Sequence, residues 1–160
     1  MVLRMRRTAG LLGRMLATAW IAYLGAYLGA GMVTHLAAGH EWPPASAARF
    51  LPGAAWFATL MFVVTLVQTS PAWAALALVR QRLGTQWCTL LGAVLFAVWG
   101  EWWIYRMEWF DVWRHGIPGW RYWLTVVVPA AVAWGTGGAV LGSAIGRLGV
   151  GPPAAVQAEA

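Results

Sequence analysis

The sequence contains no lysine, one cysteine and one aspartate, and only 10% of its 160 residues are charged. A single cysteine, Cys88, excludes an internal disulfide framework and paired-thiol redox chemistry. A single aspartate, Asp111, excludes a pair of catalytic aspartates within a membrane. The sequence also lacks a nucleophile elbow, a phosphate-binding loop and a zinc-protease motif. These absences favour a protein without catalytic activity.

Apolar residues are present in excess, at 61% of the chain. An ordinary soluble domain is about half apolar and about a quarter charged. A soluble fold of this size buries only about two-thirds of the surface that its unfolded chain exposes. The remaining apolar surface therefore has to face lipid, and the lipid bilayer is the first expected partner.

Four stretches of the chain carry no formal charge: Met15 to Ala38, Leu51 to Val79, Leu83 to Gly100 and Tyr122 to Gly146. Each reaches about 18 residues or more, the length that a helix needs to cross the hydrocarbon. Because a backbone in lipid must satisfy its own hydrogen bonds, these stretches are predicted to be helices. We predict an all-α, integral membrane four-helix bundle in one domain, residues 1–150, with spans at about 15–38, 52–79, 83–105 and 122–146. Pro71 either kinks the second span or ends it.

The arginines predict the orientation, because cytoplasmic loops of membrane proteins are enriched in basic residues. We predict that the N-terminus lies in the cytoplasm, and four spans then place the C-terminus there as well. This topology has a short cytoplasmic loop, an aromatic-rich outer loop and a disordered cytoplasmic tail at 151–160. The composition suggests a bacterial inner membrane, and basic residues at the ends of spans argue against nucleic-acid binding. The cytoplasmic side would hold Arg4, Arg6, Arg7, Arg14, Arg80, Arg82 and Arg147, and the outer side Arg49, Arg106, Arg114 and Arg121.

Glycines recur every four residues in two of the predicted spans. The fourth span has Gly138, Gly142 and Gly146, and the first has Gly25 and Gly29. Residues four apart share one helix face, and small side chains let two helix backbones approach closely. These glycine faces are predicted to pack either inside the bundle or against another subunit or a second copy.

Tryptophan is concentrated around the predicted outer loop, where seven of the thirteen tryptophans fall between Trp99 and Trp123. If the third helix continues outward, Trp102, Arg106, Trp109 and Trp113 share one face. One interpretation is an aromatic belt on the bilayer surface. The other is a binding surface for a ring-shaped ligand or a partner protein, with arginine available for an anionic lipid headgroup.

Glu101 and Gln68 are the polar candidates within or near the spans. Glu101 is expected near the outer boundary, where it is either compensated by arginine or functional. Gln68 is predicted to hydrogen-bond another helix or, alternatively, to contact a ligand.

His35 lies near the outer end of the first span, and His40 and His115 are predicted on the same side. A haem or metal site needs convergent ligands from facing helices, and no spacing motif indicates one. We therefore predict no metal site, while the cofactor stays open.

These features favour a non-enzymatic accessory or scaffold subunit of a membrane complex, with a homo- or hetero-oligomeric partner. Two alternatives remain. One is a small transporter or channel that uses Gln68, Glu101 and His35. The other is a membrane protein that binds haem, a quinone or a pigment.

Overall fold

The computed structural model describes residues 2–37, 44–106 and 119–148, and these residues are helical throughout except for turns at Thr69 and Leu148. The prediction of an all-helical chain is therefore confirmed. The elements are α1 (Val2–Ala37), α2 (Pro44–Gln68), α3 (Ser70–Arg106), α4 (Gly119–Tyr122), a π-helical turn (Trp123–Val127) and α5 (Val128–Arg147). The last three follow one another without a break, and we refer to them together as the fourth helix.

Three helical stretches among the described residues are long and apolar enough to cross a membrane. They are Gly10–Thr34, Ser70–Trp103 and Trp123–Arg147, and Ala55–Gln68 forms a shorter apolar helix. The exposed surface of these helices is rich in leucine, valine and tryptophan. Such a surface is stable in lipid but not in water. The structure is thus compatible with a membrane protein.

The boundary between α2 and α3 lies at Thr69, within the second predicted span. Only Thr69 separates α2 from α3, and helical hydrogen bonds continue across it, from the Thr69 N–H to the Thr65 carbonyl (2.9 Å) and from the Trp73 N–H to the Thr69 carbonyl (3.1 Å). Pro71 therefore lies within a helical path that does not end there. The Thr69 hydroxyl also donates to the Thr65 carbonyl, at 2.6 Å.

The backbone of α3 leaves the helical conformation at Gly84, where φ is 72° and ψ is 168°. This region of conformational space is open almost exclusively to glycine. Side chains on either side of Gly84 meet in reverse order: Trp73 contacts Phe96, with ring centroids 5.3 Å apart, and Gln68 bonds to Trp99. The chain therefore doubles back at Gly84, and the helices on its two sides form a hairpin.

The second half of α3 packs backbone to backbone against α5. A Cβ atom added at Gly142 would overlap the carbonyl oxygen of Cys88, and one added at Gly138 would overlap that of Gly92. At Gly146 the added atom would lie 2.7 Å from the Thr85 Cα. No side chain fits at these positions, so the two helices approach as closely as their backbones allow.

Aromatic rings fill the space between this helix pair and α1. Trp134 of α5 lies 4.6 Å from Tyr23 and 5.6 Å from Phe96, measured between ring centroids. Phe62 of α2 contacts both Tyr23 and Phe96. All four rings are nearly fully buried. Together they form the core of the fold.

The two glycines predicted to form a packing face in α1, Gly25 and Gly29, do not lie at a close contact with another described helix. A Cβ atom at Gly25 or Gly29 would meet no other atom within 4 Å. Instead, α1 approaches α5 at Gly137, where an added Cβ would lie 3.1 Å from the Tyr23 Cβ and 3.6 Å from the Ala19 carbonyl oxygen.

Replacing Gly142 with alanine should weaken the pairing of α3 and α5. The new methyl group meets backbone atoms of Cys88, which cannot rotate away, and overpacking of this kind costs about 1–3 kcal/mol. We expect Gly142→Ala to lower the midpoint of thermal unfolding in detergent by several degrees. Gly135→Ala is the matched control, because Gly135 lies in the same helix with nothing within 4 Å. Equal midpoints for the two variants would contradict this packing.

Replacing Gly84 with alanine should destabilise the hairpin, because a side chain at this φ and ψ costs of the order of 1–3 kcal/mol. The control is Gly53→Ala, since Gly53 lies in α2 with open space around it. Unfolding by a denaturing detergent, followed by circular dichroism, measures the difference. A Gly84→Ala protein as stable as the control would show that this turn is not required.

Candidate functional site

A cluster of tryptophans lies on α3 close to its C-terminal end. Trp99 and Trp102 have ring centroids 5.3 Å apart, and Trp103 meets Trp102 edge to face at 5.8 Å. We call these three residues the tryptophan cluster. Trp102 is 44% exposed, so part of the cluster surface faces away from the protein.

Gln68, the last residue of α2, anchors this cluster. Its Oε1 accepts a hydrogen bond from the Trp99 indole N–H at 3.0 Å and another from the Trp103 indole N–H. Gln68 and both rings belong to helices on opposite sides of the Gly84 turn. In lipid an indole N–H has no water to bind, so the amide gives these donors the partner that they need. Gln68 thus connects two helices.

Glu101 lies within the tryptophan cluster's stretch of α3. Its Oε1 is covered by protein atoms and has no hydrogen-bond partner among the described residues. The neighbouring Gly100 packs against the ring of Trp134, so closely that an added Cβ would overlap it. The side chain of Glu101 is half-buried.

Glu101 lies two residues before Trp103, the last residue of the apolar stretch Ser70–Trp103. The contacts between α3 and the fourth helix run antiparallel, from Thr85 beside Gly146 to Gly92 beside Gly138. Gly100 continues this order, since it packs against the Trp134 ring. The place of Glu101 near the outer boundary stays a prediction.

Several predicted site residues lie partly or wholly outside the described residues. Arg106 is the last residue of α3 and His35 belongs to α1, but the structure describes neither side chain. Trp109, Trp113, His40 and His115 lie outside the described residues. The continuation of the predicted stripe beyond Trp102 and Arg106 therefore stays a prediction. Within the described ranges, no three His, Cys, Asp or Glu side chains are grouped as a metal site would require.

Sequence reasoning did not identify the aromatic core or the hydrogen bonds that fix its edge. The Trp73 indole donates to the Thr69 hydroxyl at 2.9 Å, and the Trp20 indole donates to the Thr59 hydroxyl at 3.1 Å. Threonines in apolar stretches are a usable signal for such partners, because a buried indole N–H needs an acceptor. Tryptophan in a membrane protein is otherwise attributed to the interfacial belt.

Comparison of the chain with models of protein families, with curated proteins and with solved structures found no match. The site therefore has to be interpreted from its own geometry. That geometry contains an aromatic surface hydrogen-bonded to Gln68 and, in the same stretch of α3, the side chain of Glu101, whose Oε1 has no hydrogen-bond partner among the described residues.

Replacing Gln68 with leucine should leave the Trp99 and Trp103 indoles without their acceptor. Hydrogen bonds between membrane helices contribute about 0.6 kcal/mol on average and up to about 1.7 kcal/mol each. We expect Gln68→Leu to lower the free energy of unfolding by about 1–2 kcal/mol and to alter the tryptophan emission spectrum. Gln81→Leu, at an exposed position near the Gly84 turn, is the control. The same loss in both variants would contradict an interhelical role for Gln68.

Proposed function

We propose that the chain is a non-enzymatic, four-span protein of the cytoplasmic membrane that acts as an accessory or scaffold subunit of a larger membrane complex. The observation that carries this proposal is the closed interior. Rings of Tyr23, Phe62, Phe96 and Trp134 occupy the space between the helices, and α3 meets α5 through glycines. A path for ions or a pocket for a substrate would need polar side chains along this interior.

Two of the buried threonines among the described residues hydrogen-bond within their own helical path. The Thr34 hydroxyl donates to the Gly31 carbonyl at 3.1 Å, and the Thr69 hydroxyl donates to the Thr65 carbonyl. Such bonds satisfy the hydroxyl within its own helix. This favours a structural subunit over the alternative of a transporter or channel within one chain.

The positions of the arginines support the four-span orientation with both termini in the cytoplasm. Gly146 packs against Thr85, so Arg147 lies at the same end of the helix pair as the Gly84 turn and Arg82. Arg121 lies at the other end, at the start of the fourth helix. Arg80 lies at the first of these ends, and α3 ends at Arg106 near the second. The helix pair alone therefore does not decide the orientation. The bias comes from the four arginines before the first span, which give seven on the predicted cytoplasmic side against four on the other.

Purification in a mild detergent tests the proposal. We expect the full chain to elute with another membrane protein at a fixed ratio, since a scaffold without enzymatic activity functions through its partners. The eluate should lack visible absorption, because haem, carotenoids and other pigments absorb in that range. An unrelated membrane protein with the same affinity tag, purified in parallel, is the control.

Three results would contradict this proposal. A solitary monomer would exclude the scaffold role, and a coloured eluate would favour a pigment-binding protein. Ion flux through vesicles that contain only this chain, lost in Glu101→Gln, would favour the transporter.

A further inference from the structure

The end of the helix pair at the Gly84 turn is rich in arginine. Arg80 and Arg82 precede the turn on α3, and Arg147 follows a glycine of α5 that packs against Thr85. At 1.5 Å per residue, the three arginines lie within about 6 Å of the turn along the helix axes. We call them the arginine end of the hairpin.

The arginine end has no carboxylate nearby in the part of the chain that the structure describes. The one carboxylate side chain described there belongs to Glu101, 17 residues beyond the turn, which is about 25 Å along the helix. Arg82 and Arg147 are exposed, whereas the Arg80 guanidinium donates to the Ala77 carbonyl within its own helix. Two exposed positive charges are thus left for an anion from outside the described residues.

The same imbalance of charge holds for the whole sequence. On the predicted topology, seven arginines and one acidic residue, Glu159, lie on the cytoplasmic side, and four arginines and four acidic residues lie on the other. The whole net charge of +6 therefore belongs to the side of the Gly84 turn. Anionic lipids attract clusters of this kind where they meet the membrane surface.

Apolar side chains beside the arginines favour a lipid over a soluble anion. Leu78 precedes Arg82 by one helical turn on the same face and is 84% exposed. Trp87, three residues beyond the turn, is 59% exposed, and tryptophan favours the headgroup level of a bilayer. A ligand that contacts these side chains and an arginine has an anionic group joined to an apolar chain. A phospholipid has this structure, whereas a nucleic acid or an acidic protein loop lacks the apolar part.

We propose that Arg82 and Arg147 bind the headgroup of an anionic phospholipid, such as phosphatidylglycerol, whose acyl chains lie along Leu78 and Trp87. A guanidinium suits the phosphate because it donates two parallel hydrogen bonds to the phosphate oxygens. Phosphatidylcholine carries the same phosphate, but its choline cation is repelled by the two arginines. The site goes beyond the proposed accessory role and does not depend on it.

Native mass spectrometry of the full chain in a non-ionic detergent tests this inference. The protein is titrated with phosphatidylglycerol or with phosphatidylcholine of identical acyl chains, and the lipids bound to each chain are counted. An arginine near an anionic lipid contributes about fivefold in affinity, so we expect the two arginines to give phosphatidylglycerol a preference of about thirtyfold. Glycerol phosphate, which has no acyl chains, distinguishes a lipid from a free phosphate compound and should not bind at the same concentrations.

Charge variants test the two arginines themselves. Arg82→Gln/Arg147→Gln should bind the two lipids with equal affinity, and Arg82→Lys/Arg147→Lys should keep most of the preference because the charges remain. The matched control is Arg106→Gln/Arg121→Gln, which removes the same charge at the opposite end of the helix pair and should keep the full preference. Circular dichroism and the elution volume of each variant verify that it folds, and the comparison of the two lipids on the unaltered chain needs no substitution.

Several outcomes would overturn the inference. The first is equal affinity of the unaltered chain for the two lipids. The second is a preference that survives in Arg82→Gln/Arg147→Gln, or that falls as far in the control variant. Glycerol phosphate bound as tightly as the lipid would overturn the assignment to a lipid. Each of these results leaves the accessory role standing, because that role is tested by co-purification with another protein.

Discussion

The close approach of α3 and α5 is the constraint on which the rest of the structure depends. Gly92, Gly138 and Gly142 bring the two backbones into contact. Lipid is as apolar as the side chains, so helices in a membrane associate through packing and hydrogen bonds. This contact also places the aromatic core, because Phe96 and Trp134 lie on the two paired helices and Tyr23 of α1 packs against the Trp134 ring.

The sequence allowed the helical nature of the chain to be predicted, because long uncharged stretches in lipid have few alternatives. It did not reveal which glycines pack. Gly138, Gly142 and Gly146 contact α3, whereas Gly25 and Gly29, with the same spacing, have open space around them. Spacing defines a face of a helix, but the neighbouring helix decides whether that face is used. The surface of α3 that receives the glycines includes Thr85 and Cys88, small residues without a recognisable repeat.

In the candidate site, too, the sequence spacing identifies a polar residue, but the packing of the helices determines which groups it contacts. Gln68 was recognisable as the amide within a span, but its bonds to Trp99 and Trp103 depend on the reversal of the chain at Gly84. Glu101 was placed by counting along α3 alone. Its place near the outer boundary stays a prediction, while the neighbouring Gly100 packs against Trp134 of a helix that is distant in sequence.

The π-helical turn at Trp123–Val127 changes the helical register between the first turn of the fourth helix and α5. A π turn closes its hydrogen bonds over five residues, one more than an α turn. The extra residue rotates everything before it by about 100° relative to the helix that follows. Trp120 and Arg121 precede this turn, so the glycine face of α5 does not determine which side of the helix they occupy. The Arg121 guanidinium lies 5.1 Å from the centroid of the Trp120 ring. The register of the first turn of this helix is thereby separated from that of the buried contact between α5 and α3.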